Sequence, residues 1–157
     1  MAETGKENTA IDHARRYELT TGPGVVAESR VLTLRALRAW FGAAGAPDRV
    51  PVQDALLLVS EIVTNAGRHG GVPYELRLER DERSLRVQVS DTSPTRPRAD
   101  GPHRPDRASG HGLFLLQRLA ARWGWVPRGR TGKTVWFEVE MLPEAAARGR
   151  SYSGSGT

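Results

Sequence analysis

Two segments in the middle of the chain, YELRLER at 74–80 and SLRVQVSD at 84–91, alternate apolar and polar residues with a period of two. That period sends successive side chains to opposite faces of a strand. The three residues between them, Asp81-Glu82-Arg83, suit a hairpin turn. Two adjacent antiparallel strands follow, with an apolar face that something must cover. KTVWFEVEM at 133–141 alternates in the same way, and RYELTT at 16–21 and WGWVP at 123–127 read as further strands.

Three segments carry the helical period and supply the cover. From Val25 to Phe41, Ala27, Val31, Leu34, Leu37 and Trp40 recur at three- and four-residue steps, and Gly42 with Gly45-Ala46-Pro47 ends the helix. A second helix starts near Pro51, where a missing N–H costs nothing, runs to about His69 and stops at Gly70-Gly71. Its apolar face is Val52, Ala55, Leu56, Val59, Ile62, Val63 and Ala66. The third is GLFLLQRLAARW at 112–123, with Leu113, Leu116, Leu119 and Ala120 inward. Helices and strands mix without a βαβ rhythm, which predicts an α+β fold: a two-layer sandwich with helices on one face of a mixed, mostly antiparallel sheet.

A chain of 157 residues fits one such domain, here 17–142, between polar tails at 1–16 and 143–157. No apolar run approaches the roughly 20 residues that cross a bilayer, and the first residues lack the apolar core of a secretory signal. With no cysteine, disulfides and thiolate metal sites are excluded. A soluble, cytoplasmic protein without membrane contact is expected. The net charge of +5 comes from dispersed Arg rather than a basic stripe, so no nucleic-acid partner is expected.

One feature does not belong to a plain covering helix. Glu61, Asn65 and His69 are spaced by four, so they stack along one stripe of the second helix. A solvated face would explain the spacing by itself. Two details point elsewhere: Glu61 is flanked by Leu57, Leu58 and Thr64, and Gly67 breaks helix propensity as if something approached closely. A carboxylate between apolar walls is a candidate general base, and an amide oxygen one turn on can hold a hard cation. Downstream, Asp91 ends a strand as a single acceptor. Gly110 and Gly112 open a helix, where backbone can approach phosphate, and Gly132 and Thr134 open the last strand. Between Asp91 and Gly110 lie four prolines, at 94, 97, 102 and 105, which exclude regular structure.

Taken in order, LVSEIVTNAGRHG, VSDTSPTRP, SGHGLFLL and GKTVWFEV resemble the GHKL (Bergerat-fold) ATPase superfamily. Within it the chain is similar to small stand-alone ATP-binding proteins related to anti-sigma-factor serine/threonine kinases and histidine-kinase catalytic domains. The resemblance spans about Tyr17 to Met141. It implies ATP and Mg2+ as cofactors, with Glu61 as general base, Asn65 as the Mg2+ holder and His69 near the nucleotide. It further implies that Asp91 accepts from the adenine amino group and that Gly110, His111, Gly112 and Leu113 cap the phosphates. Thr134 would help position adenine, and the Pro-rich loop would be the lid. Where the wider superfamily has glycines after the aspartate, Thr92, Ser93 and Pro94 stand here. Where anti-sigma kinases carry Arg before Ser-Gly, this chain has Ala108, with Arg107 one residue earlier.

The expected function is therefore an ATP-binding regulatory protein, an anti-sigma-factor-like serine/threonine kinase. Its partner would be a sigma factor or an anti-sigma-antagonist-like protein, and a homodimer is admitted. The alternative is a non-catalytic, ATP-responsive protein-binding module.

Overall fold

The computed structural model describes residues 12–68, 71–97 and 111–142, with His111 and Gly112 described by backbone alone. Its elements run β1 (Ala14–Glu18), α1 (Val25–Phe41), a 3-10 turn (Gly42–Gly45), α2 (Val50–Ala66), β2 (Pro73–Arg80), β3 (Ser84–Asp91), α3 (His111–Leu119), β4 (Arg122–Pro127) and β5 (Lys133–Glu140). The β2–β3 hairpin forms where alternation predicts it. Asp81 closes its turn by accepting the N–H groups of Arg83 at 2.8 Å and Ser84 at 2.7 Å.

The five strands are ordered β1-β2-β3-β5-β4. Among the described residues all four pairings are antiparallel, in keeping with the mostly antiparallel sheet expected and without a parallel pair. The reason lies in the connection through α3. It returns the chain so that β3 and β4 point the same way, but β5 then inserts between them and no parallel neighbours remain.

The odd-numbered residues of β3 and β5, Leu85, Val87, Val89, Val135, Phe137 and Val139, form the covered face. Against it lie Val52, Ala55, Leu56, Leu58, Val59, Ile62 and Val63 of α2, all at most 8% exposed. Each large apolar side chain so buried contributes about 1.5–3 kcal/mol relative to exposure. This contact fixes how α2 lies on the sheet, and so where its polar stripe points.

Several boundaries differ from the sequence expectation. The first strand begins at Ala14, inside the segment read as a tail, because its residues pair with β2 from Ala14↔Glu79 to Glu18↔Glu75. In α1 the inward residues are Ser29, Thr33, Ala36, Leu37 and Trp40, whereas Val31 is 51% exposed. Ser29 and Thr33 can be buried because their hydroxyls donate to the carbonyls of Val25 and Ser29, each at 2.8 Å. Helix α3 stops at Leu119, not at Trp123. From Ala121 the chain is captured by β5: the Ala121 N–H donates to the Glu138 carbonyl at 2.8 Å, and Arg122 binds the Glu138 carboxylate.

Among the described residues no helix is long and apolar enough to cross a membrane.

Candidate functional site

Helix α2 ends at Ala66, three residues before the predicted end, and Gly67 is its C-terminal cap rather than an interior residue. The Gly67 N–H donates to the carbonyls of Val63 and Thr64. A side chain there would meet only ordinary contacts, the nearest being Thr64 O at 3.5 Å. The close approach read into Gly67 therefore belongs to another glycine. A Cβ on Gly71 would lie 2.5 Å from the Ala66 carbonyl oxygen and 2.7 Å from Ser93 Cβ. At that point the chain leaving α2 passes against the turn after β3. The two are stitched together: Val72 N–H donates to Thr92 Oγ1 at 2.9 Å, and Thr92 N–H to the Val72 carbonyl at 3.1 Å. Thr92 and Ser93 thus build hydrogen bonds of their own, to Val72 and Thr95.

This stitching holds Asp91 beside the C-terminal end of α2. Asp91 is the last residue of β3 and faces the helix layer, in phase with Val87 and Val89. Its side chain is fully buried. One oxygen, Oδ1, accepts the Ser93 N–H at 2.7 Å and the Lys133 Nζ at 3.1 Å. Lys133 Nζ donates also to the Ser93 carbonyl at 3.2 Å. The other oxygen, Oδ2, is buried without any hydrogen-bond partner. Burial is the largest influence on this carboxyl and pushes its pKa up, while the Ser93 N–H and the Lys133 ammonium pull it back. Gly132 is needed next to it, because a Cβ there would strike the Asp91 carbonyl oxygen.

Thr134 is not part of this site. Lys133 is the cross-strand partner of Asp91, and Thr134 that of Ser90. Consecutive strand residues point to opposite faces, so Thr134 lies on the open face of the sheet. There Thr134 Oγ1 and Ser90 Oγ are 2.8 Å apart, and Arg128 Nε donates to Thr134 Oγ1 at 3.0 Å. The residue on the site face is Lys133, which the sequence reading missed. Its signal was present: in KTVWFEVE, inward Val135, Phe137 and Val139 require Lys133 inward and Thr134 outward.

The α2 stripe is half-buried at both Glu61 and Asn65, and it belongs to the last turns that run toward Gly71. The walls beside Glu61 are less apolar than expected, since Leu57 is 39% exposed and Thr64 is exposed, while Leu58 is buried in the core. Helix α3 begins at His111, and Leu113 packs, partly buried, against the core. His69 and Gly110 lie outside the described residues, as do Arg107, Ala108 and most of the Pro-rich loop. Among the described residues, no group of three or more His, Cys, Asp or Glu side chains could hold a metal ion.

A buried acceptor without a donor costs about 1–3 kcal/mol, so Asp91 Oδ2 marks a place where an incoming N–H would be stabilising. An unpaired carboxylate oxygen suits a ligand that carries an amino group.

A family model described as the histidine kinase-like ATPase domain matches residues 27–139. That range runs from the first turn of α1 to the penultimate residue of β5 and includes Glu61, Asn65, Asp91 and Lys133. No curated protein matches the chain. Among solved structures, the histidine kinase domain from the Erythrobacter litoralis EL346 blue-light activated histidine kinase aligns with 23% identity and a TM-score of 0.42. The alignment covers 78% of this chain and 64% of that one, so the chain spans less than two thirds of that domain.

Proposed function

The chain belongs to the histidine kinase-like ATPase domain family, and on that premise we propose an ATP-binding regulatory protein that phosphorylates Ser or Thr of an anti-sigma-antagonist-type protein. The observation that carries the nucleotide part is the buried, unpartnered Asp91 Oδ2. The adenine amino group is a donor of the kind this oxygen lacks, and a carboxylate accepts without competing as a donor. Asn65 would hold Mg2+ through its amide oxygen. Bound Mg2+ supplies charge neutralisation at the phosphates, where little covalent chemistry is asked of the protein. The backbone opening of α3 adds a helix N-terminus, which favours negative charge.

Glu61, one turn before Asn65 on the same stripe, would take the proton of the attacking hydroxyl. Its half-buried position leaves it reachable by a partner's side chain. The metal-holding amide and the base are thus four residues apart on one rigid helix.

Calorimetric titration of the full chain with ATP and Mg2+ tests the nucleotide part. Saturable binding, weakened by Asp91→Asn, is expected; no ATP binding by the unmodified protein would overturn it. Transfer is tested with γ-labelled ATP and candidate partners. ATP bound tightly with label on no partner would leave the non-catalytic, ATP-responsive binding module.

A further inference from the structure

The buried ion pair raises a question that nucleotide binding alone does not answer: why a lysine stands against the carboxylate that is to read the base. Lys133 is 6% exposed and Asp91 1% exposed. Placing an ammonium there is costly unless its protons are used. Two of its three donors are accounted for, by Asp91 Oδ1 and by the Ser93 carbonyl. Both contacts fall on one side of the carboxylate, the side that also accepts the Ser93 N–H. Oδ2 is left bare.

We propose that Lys133 is a positioning residue for base recognition: it pins Asp91 Oδ1 and the following turn, so that Oδ2 alone is presented, and it holds the carboxylate in its acceptor-only form. This rests on the nucleotide reading above and adds to it a residue that positions the acceptor. The pinning is reinforced from three directions. Gly132 lets the β5 backbone close on the Asp91 carbonyl, the Ser93 N–H fixes the carboxylate rotamer, and Lys133 ties Ser93 back to Asp91. Among the described residues, the charged group facing the Asp91 carboxyl is Lys133, from β5; Ser93 of the following turn is uncharged. Removing the ammonium takes away one of the two influences that oppose burial. The carboxyl of a Lys133 variant is therefore protonated at higher pH than in the unmodified protein.

The test is ADP affinity of the full chain against pH, with Lys133→Gln beside the unmodified protein. Gln removes the charge but keeps two N–H donors for Asp91 and Ser93. At neutral pH the variant is expected to bind ADP about tenfold more weakly, the low end for losing a charge-assisted contact. Its affinity should climb with rising pH as the carboxyl deprotonates, over a range that lies higher than any change in the unmodified protein. An equal loss at every pH marks a structural effect and overturns the proposal, as does unchanged, flat binding. Should Lys133→Gln fail to fold, Lys133→Met combined with Asp91→Asn leaves no unpaired charge. That variant is expected to bind ADP no better than the diphosphate of a purine lacking the amino group. A retained preference for ADP overturns the proposal. Failure of the unmodified protein to bind ADP would instead sink the nucleotide reading, and this proposal with it.

Discussion

Two polar pairs sit side by side on β3 and β5, one residue apart in register and on opposite faces of the sheet. Ser90–Thr134 faces outward and Asp91–Lys133 faces the helices. Both are buried, with no residue more than 7% exposed. The hydroxyl pair is neutral: its members bond to each other, and Thr134 also accepts from Arg128. The charged pair is crowded on one oxygen and empty on the other. Burial therefore does not tell the two pairs apart; satisfaction does, since one network is finished and the other leaves a buried acceptor unpaired.

The largest effects are expected on the helix-covered face. Glu61→Ala should lower single-turnover transfer to a protein partner by about 10²–10⁴, the range for losing a general base, while ATP affinity changes only a few-fold. A large affinity loss instead would make Glu61 part of the binding cradle. Asn65→Ala should erase the difference between ATP affinities measured with and without Mg2+, with the native circular dichroism spectrum retained.

Two glycines then sharpen the contrast between the faces. A Cβ on Gly132 meets the Asp91 backbone, and one on Gly124 lies 2.9 Å from the Trp136 ring, which stands on the open face with the Arg86 guanidinium over it at 4.0 Å. Each Gly→Ala substitution should cost about 1–3 kcal/mol of stability by overpacking, read from urea midpoints. Only Gly132→Ala should also weaken ADP, because only its strain reaches the site.

The smallest effect is on stability against pH. Burial lifts the folded Asp91 carboxyl above its usual 3.8. A group whose folded pKa is raised gives its stabilisation in full below the unfolded value and loses it as pH rises through the folded one. The stability of the unmodified protein minus that of Asp91→Asn should therefore fall as pH rises above about 4. A difference that grows with pH would mean that Lys133 outweighs burial.

Much of this was legible in the sequence, and the failures have physical reasons. The β2–β3 hairpin and the inner face of α2 were readable because one side of each is uniformly apolar. The inner face of α1 was not, since Ser29 and Thr33 satisfy themselves on their own helix while Val31 turns outward. The ends of α2 and α3 were overrun because helical periodicity continues past the point where capping at Gly67 and pairing with β5 take over. Asp91 was singled out as an acceptor at a strand end, whereas Lys133 was passed over and Thr134 was named beside the ligand; the pleat turns Lys133 toward the helices and Thr134 to the open face.

The most direct test is ADP affinity, measured by calorimetry for Asp91→Asn and Thr134→Val under identical conditions. A roughly 10–100-fold loss is expected for Asp91→Asn, as for a lost charged hydrogen bond, and a change within about twofold for Thr134→Val. A loss at Thr134 that equals or exceeds the loss at Asp91 would contradict this expectation, because the open face of the sheet would then be reading the nucleotide.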